Sequence, residues 1–341
     1  MLTWCGFERA LSIPAEDLEF ALAGQGCIPW TDFLLNPRRL RGSDFLMRWS
    51  QGVWSERRLI QALADSGSYV ALPYGPSSAA PTDDVRSFEL YFDALDKAGL
   101  GTIKRPDLLV FRKSDEAEVR AVIRRVTRGQ SLPFVREDDH DIEGIAKLPF
   151  ISEEGEGMRC LLSKAVVAVE CENSLWKAKQ MPAYGAKLRP MRRLGGELGL
   201  PSGAVLPTVI LKEEDREPLA RWQDHARVPI HIWHVFYDLA FGLSFDDAEG
   251  LIRSGRIRPT QQVFQAPGGA TSTKTIYKVY YHHAYTLAES EDEPTLIADC
   301  VVDKNGHILP YVRFDGGRLA MSPVTVAVLD GIARLRDGER G

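Results

Sequence analysis

Long apolar runs are missing from this sequence. The longest notable one, Ala165 to Val169, is the length of a strand and far short of the roughly 18 residues that a membrane span needs, so no membrane-spanning segment is read. Cysteine is scarce as well. The five thiols, Cys5, Cys27, Cys160, Cys171 and Cys300, are odd in number and scattered, and no C-x-x-C pair is present to clamp zinc or shuttle electrons; reduced, mostly buried thiols are expected. An excess of positive charge is also lacking: 42 Lys and Arg against 47 Asp and Glu leave a net charge of -5, which argues against a general coat for polyanions but allows a local basic cleft. The first residues, Met1 to Arg9, contain no basic segment followed by an apolar one, so no secretion signal is read and a cytoplasmic location is expected. Neither a G-x-S-x-G elbow nor an H-E-x-x-H helix occurs, and hydrolases built on those motifs have no support. The segment Ala266 to Lys274 fails as a phosphate-binding loop, because a glycine is required where Thr273 stands and a strand, not a helix, follows.

What is present describes a globular chain. With 341 residues, 44% hydrophobic and 26% charged, there is material for a sizeable core in one large domain or two. Residues 1–80 read as a helical N-terminal region, with helices over Pro14 to Ala23 and from about Ser55 to Leu63, ending at the Pro73 to Pro81 break. Residues 81–240 read as the core. A helix capped by Thr82 carries Val85, Phe88, Tyr91, Phe92 and Leu95 near a 3.6 period up to Gly99. The strand Arg105 to Phe111 comes next, then a long polar excursion over 112–159, read as an insertion containing a helix from Ala117 to Arg125 and the solvated acidic stretch Arg136 to Asp141. Lys164 to Glu172 reads as a central strand buried on both faces. A helix over Leu175 to Tyr184, capped by Asn173 or Ser174, is expected next. Strands at Val205 to Leu211 and Val228 to Val235 flank a helix over Pro218 to Ala226. The fold class is therefore α/β, a mixed central sheet flanked by helices. Residues 241–341 read as an appended β-rich module, with a helix over Phe245 to Ser254 and strands such as Thr273 to Leu287 and His307 to Phe314.

The chemistry concentrates at two strands. Asp107 follows Pro106 in an otherwise apolar strand, and Glu170 and Glu172 end the run Val166 to Val169. Alternation puts Glu170 and Glu172 on one face and Cys171 on the other. If the strand bearing Asp107 is a neighbour, three carboxylates meet at a sheet edge, the hard oxygen set that Mg²⁺ requires. Such a metal can activate a water and stabilise the leaving oxygen of a phosphodiester. The competing reading leaves Glu170 and Glu172 on the wet face of an edge strand, or paired with Lys164, Lys177 or Lys179. The apolar run before Glu170 weighs against it, because a buried pair of carboxylates is costly unless a cation neutralises it.

Pro106-Asp107 with Glu170-Cys171-Glu172 resembles the PD-(D/E)xK nuclease signature in its E-x-E variant, where glutamate replaces the usual lysine, as in BamHI-like type II restriction endonucleases. Glu89, on the helix before the first strand, matches the position of an additional acidic residue in many members, and Asn173 to Pro182 is similar to type II enzymes of the AccI group. The match covers residues 85 to 240. The resemblance implies a restriction-endonuclease-like core, Mg²⁺ held by Asp107 and Glu170 with Glu172 and Glu89 assisting, cleavage of double-stranded DNA at a short palindromic site, a homodimer and a bacterial cytoplasmic setting. No lysine stands two residues after Glu170, which leaves Glu172, Lys177 or Lys179 as general base.

Basic clusters at Arg38 to Arg41, Arg124 to Arg128, Lys187 to Arg193 and Arg253 to Arg258 are either phosphate contacts or solvated faces. Base-reading candidates fall in the C-terminal part: Gln261, Gln262, Gln265, Lys274, Lys278, Tyr280 and His282, since amides read adenine and cations read guanine. Alternation places Lys274, Lys278, Tyr280 and His282 on one strand face. His231 and His234, three apart on a strand, face opposite sides and read as core histidines.

Overall fold

A computed structural model of the chain describes residues 42–340 apart from 82–84, 102, 130–139, 193–194, 197, 202, 266–270 and 303–307. The expected helix at Pro14 to Ala23, the Arg38 to Arg41 cluster, the Thr82 cap and most of the acidic stretch lie outside the described residues. In chain order the elements are α1 (Gly42–Asp65), β1 (Tyr69–Pro73), α2 (Pro76–Ala79), α3 (Val85–Lys97), β2 (Leu108–Arg112), α4 (Glu116–Val126), α5 (His140–Lys147), α6 (Glu156–Lys164) and β3 (Val167–Asn173). They continue with β4 (Arg189–Pro190), β5 (Leu198–Gly199), β6 (Thr208–Lys212), α7 (Glu213–Ala226), β7 (Ile230–Val235), β8 (Leu239–Ser244), α8 (Phe245–Arg253), β9 (Pro259–Gln265) and β10 (Thr271–Tyr280). The last are β11 (Tyr285–Ser290), β12 (Thr295–Val302), β13 (Ile308–Asp315), β14 (Leu319–Met321) and α9 (Pro323–Arg340).

Seven strands form one mixed sheet in the order β1-β2-β3-β7-β8-β11-β14. Every neighbouring pair is antiparallel except β3 with β7. The apolar run of β3 earns its central place by side-chain alternation: Val167 and Val169 face one apolar layer, Ala168 the other. The first layer holds Leu59 and Leu63 of α1 with Leu329 and Ala333 of α9. The second holds Val119, Val122 and Ile123 of α4, Met158, Leu161 and Leu162 of α6, and Leu219 and Trp222 of α7. The protein is thus a mixed α/β fold with helices on both faces of its sheet. No helix among the described residues is long and apolar enough to cross a membrane.

Several sequence readings need correction. Residues 69–73, read as part of a helical region and a break, form β1, an edge strand paired with β2. The polar excursion over 112–159 supplies α4 and α6, whose buried stripes are only three residues wide. Such narrow stripes among charges read as polar, yet they cover one face of the sheet. Arg105 ties this region down, donating to the carbonyls of Leu148 (3.1 Å) and Ile151 (2.8 Å). The expected helix over 175–184 does not form; only a 3₁₀ turn, Ala178–Gln180, is present. The Asp238 carboxylate accepts the N–H groups of Ala178 (2.6 Å) and Lys179 (3.0 Å), satisfying from outside the donors a helix would have used. The last hundred residues are not appended: β11 and β14 extend the main sheet, β10 joins β6 and β9 in a three-stranded sheet, and only β12 and β13 pair apart as a hairpin.

Two glycines of this fold respond oppositely to an added methyl group. Gly242 on β8 lies opposite Tyr285 on β11, and a Cβ there would collide with the phenol ring. That ring is fixed by hydrogen bonds of its hydroxyl with Trp233 Nε1 and His231 Nδ1, both 2.9 Å. Gly250 in α8 is exposed and has open space at its Cβ. Gly242→Ala is therefore expected to destabilise the protein by about 1–3 kcal/mol, the cost of overpacking, and Gly250→Ala to stabilise it by roughly 0.5–1 kcal/mol. Urea denaturation of both variants checks the two signs.

Candidate functional site

The chain reverses from β2 into β3 with Leu108 opposite Val169. One step further, Asp107 stands opposite Glu170, and its Oδ2 accepts the N–H of Cys171 at 2.7 Å. Asp107 is held there by a close backbone approach. Its carbonyl accepts N–H groups from both Tyr74 (2.7 Å) and Gly75 (3.1 Å), and a Cβ on Gly75 would lie 2.8 Å from Pro106 O and 3.1 Å from Asp107 Cα. Only glycine fits at 75. Glu170 and Glu172 follow Ala168 on the same face, as alternation requires.

Other elements close the cluster. Lys212 ends β6 and pairs with Glu172 at 2.5 Å. Asp215 stands three residues later in the first turn of α7, where an acidic side chain favours the helix dipole. Lys104, just before Pro106, pairs with Glu170 and lies 3.4 Å from Asp215. Glu56 of α1 approaches closely enough for the Asp107 charge to act on it. Carboxylate oxygens of Glu170, Glu172 and Asp215 all lie within 4.8 Å of one another. Glu170 is 4% exposed, and its Oε2 has no hydrogen-bond partner.

Five carboxylates thus face two ammoniums, and the protonation equilibria reflect the imbalance. Burial, then the Asp107 charge, pushes Glu170 well above the usual carboxylate range against the pull of Lys104. Asp107 and Glu172 are also raised, by desolvation that outweighs Lys104 in the first case and Lys212 in the second. Glu56 is pushed up to about 8 by desolvation and by Asp107. Burial works against the ammoniums too, yet Lys104 and Lys212 end above their ordinary values, held charged mainly by Glu170 and Glu172 respectively. An ion pair at about 4 Å in an effective dielectric near 20 gains about 4 kcal/mol, and desolvation takes several kcal/mol from each ion. Two ammoniums do not cover five acids; protons or a further cation must. The chemistry of the donor set, three hard oxygen groups with one orphaned buried oxygen, fits a divalent cation such as Mg²⁺.

Asp107, Glu170 and Glu172 are brought together as the sequence suggests, but the close metal-type triad is Glu170, Glu172 and Asp215, without Asp107. Glu89 lies on α3, and its side chain falls outside the described residues. Lys164, Lys177 and Lys179 pair elsewhere, with Glu118 (2.8 Å), Glu293 (3.0 Å) and Glu289. Lys177 and Lys179 therefore point away from the carboxylate cluster, since the helix expected over their segment is only a 3₁₀ turn. Glu56, Lys104, Lys212 and Asp215 escaped notice. A signal existed for two of them: Lys104 is three residues before Asp107, and Lys212 ends an apolar strand as Glu172 does.

Among the base-reading candidates, Lys274 pairs with Glu214 at 2.5 Å, Gln261 donates to Thr275 Oγ1 at 2.9 Å, and His282 bonds the Ala186 carbonyl at 2.7 Å. Gln262 and Tyr280 are half-buried and Lys278 is exposed; the side chain of Gln265 lies outside the described residues. His282 is not on the strand face with the others, since β10 ends at Tyr280. Ile276 pairs with Lys212, so the β9–β10 hairpin runs on past the end of β6 and beside the first turn of α7. His231 and His234 are core residues, as read. Burial lowers them to about 4 and about 3, with Lys212 adding to the second shift. His234 Nδ1 accepts the Ile210 N–H (3.3 Å), leaving Nε2–H to donate to Ser174 Oγ (2.9 Å).

Comparison with protein-family models, with curated proteins and with solved structures gave no match.

The raised pKa of Glu56 has a stability consequence of definite sign. The folded state holds the Glu56 proton more tightly than the unfolded chain, so the associated stability is present below about pH 4.5 and is lost as the pH rises towards 8. Glu56→Gln, which mimics the protonated acid, is expected to match the wild type near pH 4.5 and to be the more stable protein at pH 8.5. Thermal denaturation at the two pH values, in EDTA, measures the difference; a wild type that gains on the variant as pH rises would contradict it.

Proposed function

We propose that this protein is a Mg²⁺-dependent endonuclease that hydrolyses phosphodiester bonds of double-stranded DNA at a short, palindromic sequence, with two copies of the chain cutting two strands. The observation that carries this reading is the buried carboxylate triad with its orphaned Glu170 oxygen, beside Asp107 on the adjacent chain segment. The resemblance to E-x-E nucleases implies a metal held by Asp107 and Glu170; here Asp107 lies beside the triad and Asp215 stands in it. A divalent cation held by Glu170, Glu172 and Asp215 would supply the positive charge that lowers the pKa of water and offsets charge building on the phosphoryl group.

The chain's own residues divide the remaining work. Lys104 and Lys212 stay protonated beside the acids, so their role is to hold positive charge towards the phosphate rather than to accept a proton. Glu172 is the better base, because desolvation raises its proton affinity against the pull of Lys212. Asp107 fixes the end of β3 through the Cys171 N–H and adds negative charge that favours a cation over protons. The β9–β10 hairpin, which runs past the end of β6 beside α7, would follow a groove of the duplex, with Lys274 on its overhanging part and Lys278 beside β6.

A second reading has its own support. Lys104 and Lys212 already pair with Glu170 and Glu172, which is how a protein on this fold would neutralise the cluster if it bound DNA without cutting it. Incubation of the protein with a large duplex of known sequence, in Mg²⁺ and in EDTA, separates the two. Discrete fragments in Mg²⁺ alone are expected. Glu170→Gln and Asp107→Asn are each expected to reduce cleavage by about 10³-fold or more while leaving the gel mobility shift unchanged. Intact DNA in both lanes together with a mobility shift would establish the non-cutting protein instead.

A further inference from the structure

A groove of about 750 Å³ runs between α1 and the β12–β13 hairpin. Among the α1 residues that line it, Ser50, Trp54, Arg57 and Gln61 recur at helical spacing on a face distinct from that of Leu59 and Leu63, which pack on the sheet. Four arginines line the groove (Arg57, Arg58, Arg313, Arg318) against two carboxylates, Asp299 and Asp315. Both carboxylates are engaged by Arg313, at 2.9 and 3.4 Å. Trp49, Trp54 and Tyr311 give it an aromatic wall.

Arg58 is the unusual member. It is 4% exposed, and its guanidinium lies 4.2 Å over the Trp54 ring. One nitrogen, Nη2, donates to the Tyr237 carbonyl and to Ser290 Oγ, both at 3.2 Å. Nε and Nη1 have no partner. A buried guanidinium with unpaired N–H groups is a standing cost that an anion relieves. The groove is too large for an inorganic anion alone and falls in the size range of small-ligand sites. An aromatic wall gains nothing from phosphate, and unpaired arginine N–H groups gain nothing from an uncharged ring. A ligand that satisfies both carries a planar base and an anionic group together.

We propose that this groove binds a nucleoside phosphate, its base against the aromatic wall at Trp49, the one of the three rings that is not buried, and its phosphate drawn to the unpaired edge of Arg58, with Arg318 at the mouth. The nucleotide comes either free or as part of a nucleic-acid strand. The inference does not depend on the carboxylate cluster or on cleavage, since it rests on a different face of α1.

Calorimetric titration of the full chain in EDTA tests it, with deoxyadenosine monophosphate, deoxyadenosine, inorganic phosphate and a short single-stranded oligodeoxynucleotide as probes. The monophosphate is expected to bind, with nucleoside and inorganic phosphate each weaker by about tenfold or more, the scale of one charge-assisted contact or stacked ring. Arg58→Met should remove the difference between nucleotide and nucleoside. Because Arg58 also supports the fold, Arg318→Glu serves as the second variant: its side chain is 64% exposed, and the reversed charge should weaken the nucleotide while leaving the nucleoside unaffected. An oligonucleotide that binds as well as the mononucleotide assigns the site to a strand, and one that binds much more weakly assigns it to the free ligand. No heat from the monophosphate at millimolar concentration, inorganic phosphate binding as tightly as the nucleotide, or both variants binding like the wild type would overturn the proposal.

Discussion

Uncompensated negative charge at the end of a buried strand governs this structure. β3 enters the sheet with three fully buried apolar residues and ends with Glu170 and Glu172 on a face shared with Asp107. Alternation fixes that face, so the carboxylates cannot be turned to solvent without turning Ala168 out of the core as well. The surrounding structure reads as a set of answers to that constraint. Gly75 clears space for the Asp107 backbone, Arg105 clamps the segment before it, and β6 delivers Lys212 while Lys104 arrives on the segment leading into β2. Each brings a cation or fixes an acid, and together they still leave the site short of positive charge.

The same logic explains how distant segments cooperate. His234, on β7 beside Glu172, is kept neutral by burial and fastens β6 through the Ile210 N–H. Lys212 lies two residues beyond Ile210, so the rivet that holds β6 also sets the reach of the lysine. A protonated His234 would lose its acceptor nitrogen and push against Lys212, and the depressed pKa prevents this near neutral pH. α1 has a double role of another kind. Leu59 and Leu63 anchor it to the sheet, Glu56 extends the acidic cluster, and Trp54 with Arg58 builds a basic aromatic groove on its outer side. A single well-packed helix therefore carries two chemically opposite surfaces.

Much of this was legible in the residues. The continuous apolar run of β3 announced a central strand, and the two-residue period placed Glu170 with Glu172 and opposed Cys171 to them. The helices α4 and α8 and the strands β2, β6, β7 and β13 follow the periodicity and punctuation of the sequence closely, whereas α7 begins at Glu213, five residues before the start read at Pro218. The partners of the carboxylates were hidden because nothing local marks them. Lys212 and Asp215 lie some forty residues from Glu172, on elements whose placement depends on a crossover and a buried histidine. Lys177 and Lys179 looked better because they were near in sequence, and they were lost when Asp238 captured the N–H groups of their segment. The C-terminal hundred residues looked like a module because their strands are separated by Gly and Pro. Sheet membership is decided by long-range pairing, and β11 and β14 find their partners in β8 and in each other.

Lysine pairing, protonation of the buried acids and a divalent cation are alternative answers to one electrostatic problem, and the proposed function rests on the third. An ammonium offers hydrogen bonds in a few directions and neutralises one charge. Lys104 reaches one oxygen of Glu170 and leaves the other bare; Lys212 is shared between Glu172 and, at 3.9 Å, Asp215. A purely structural cluster would be expected to satisfy its most buried oxygen first, because that oxygen bears the largest desolvation cost. Here the most buried carboxylate is the one left incomplete, and its neighbours sit at the spacing of a shared ligand. Under the reading proposed above, that orphaned oxygen is the position a bound cation would occupy.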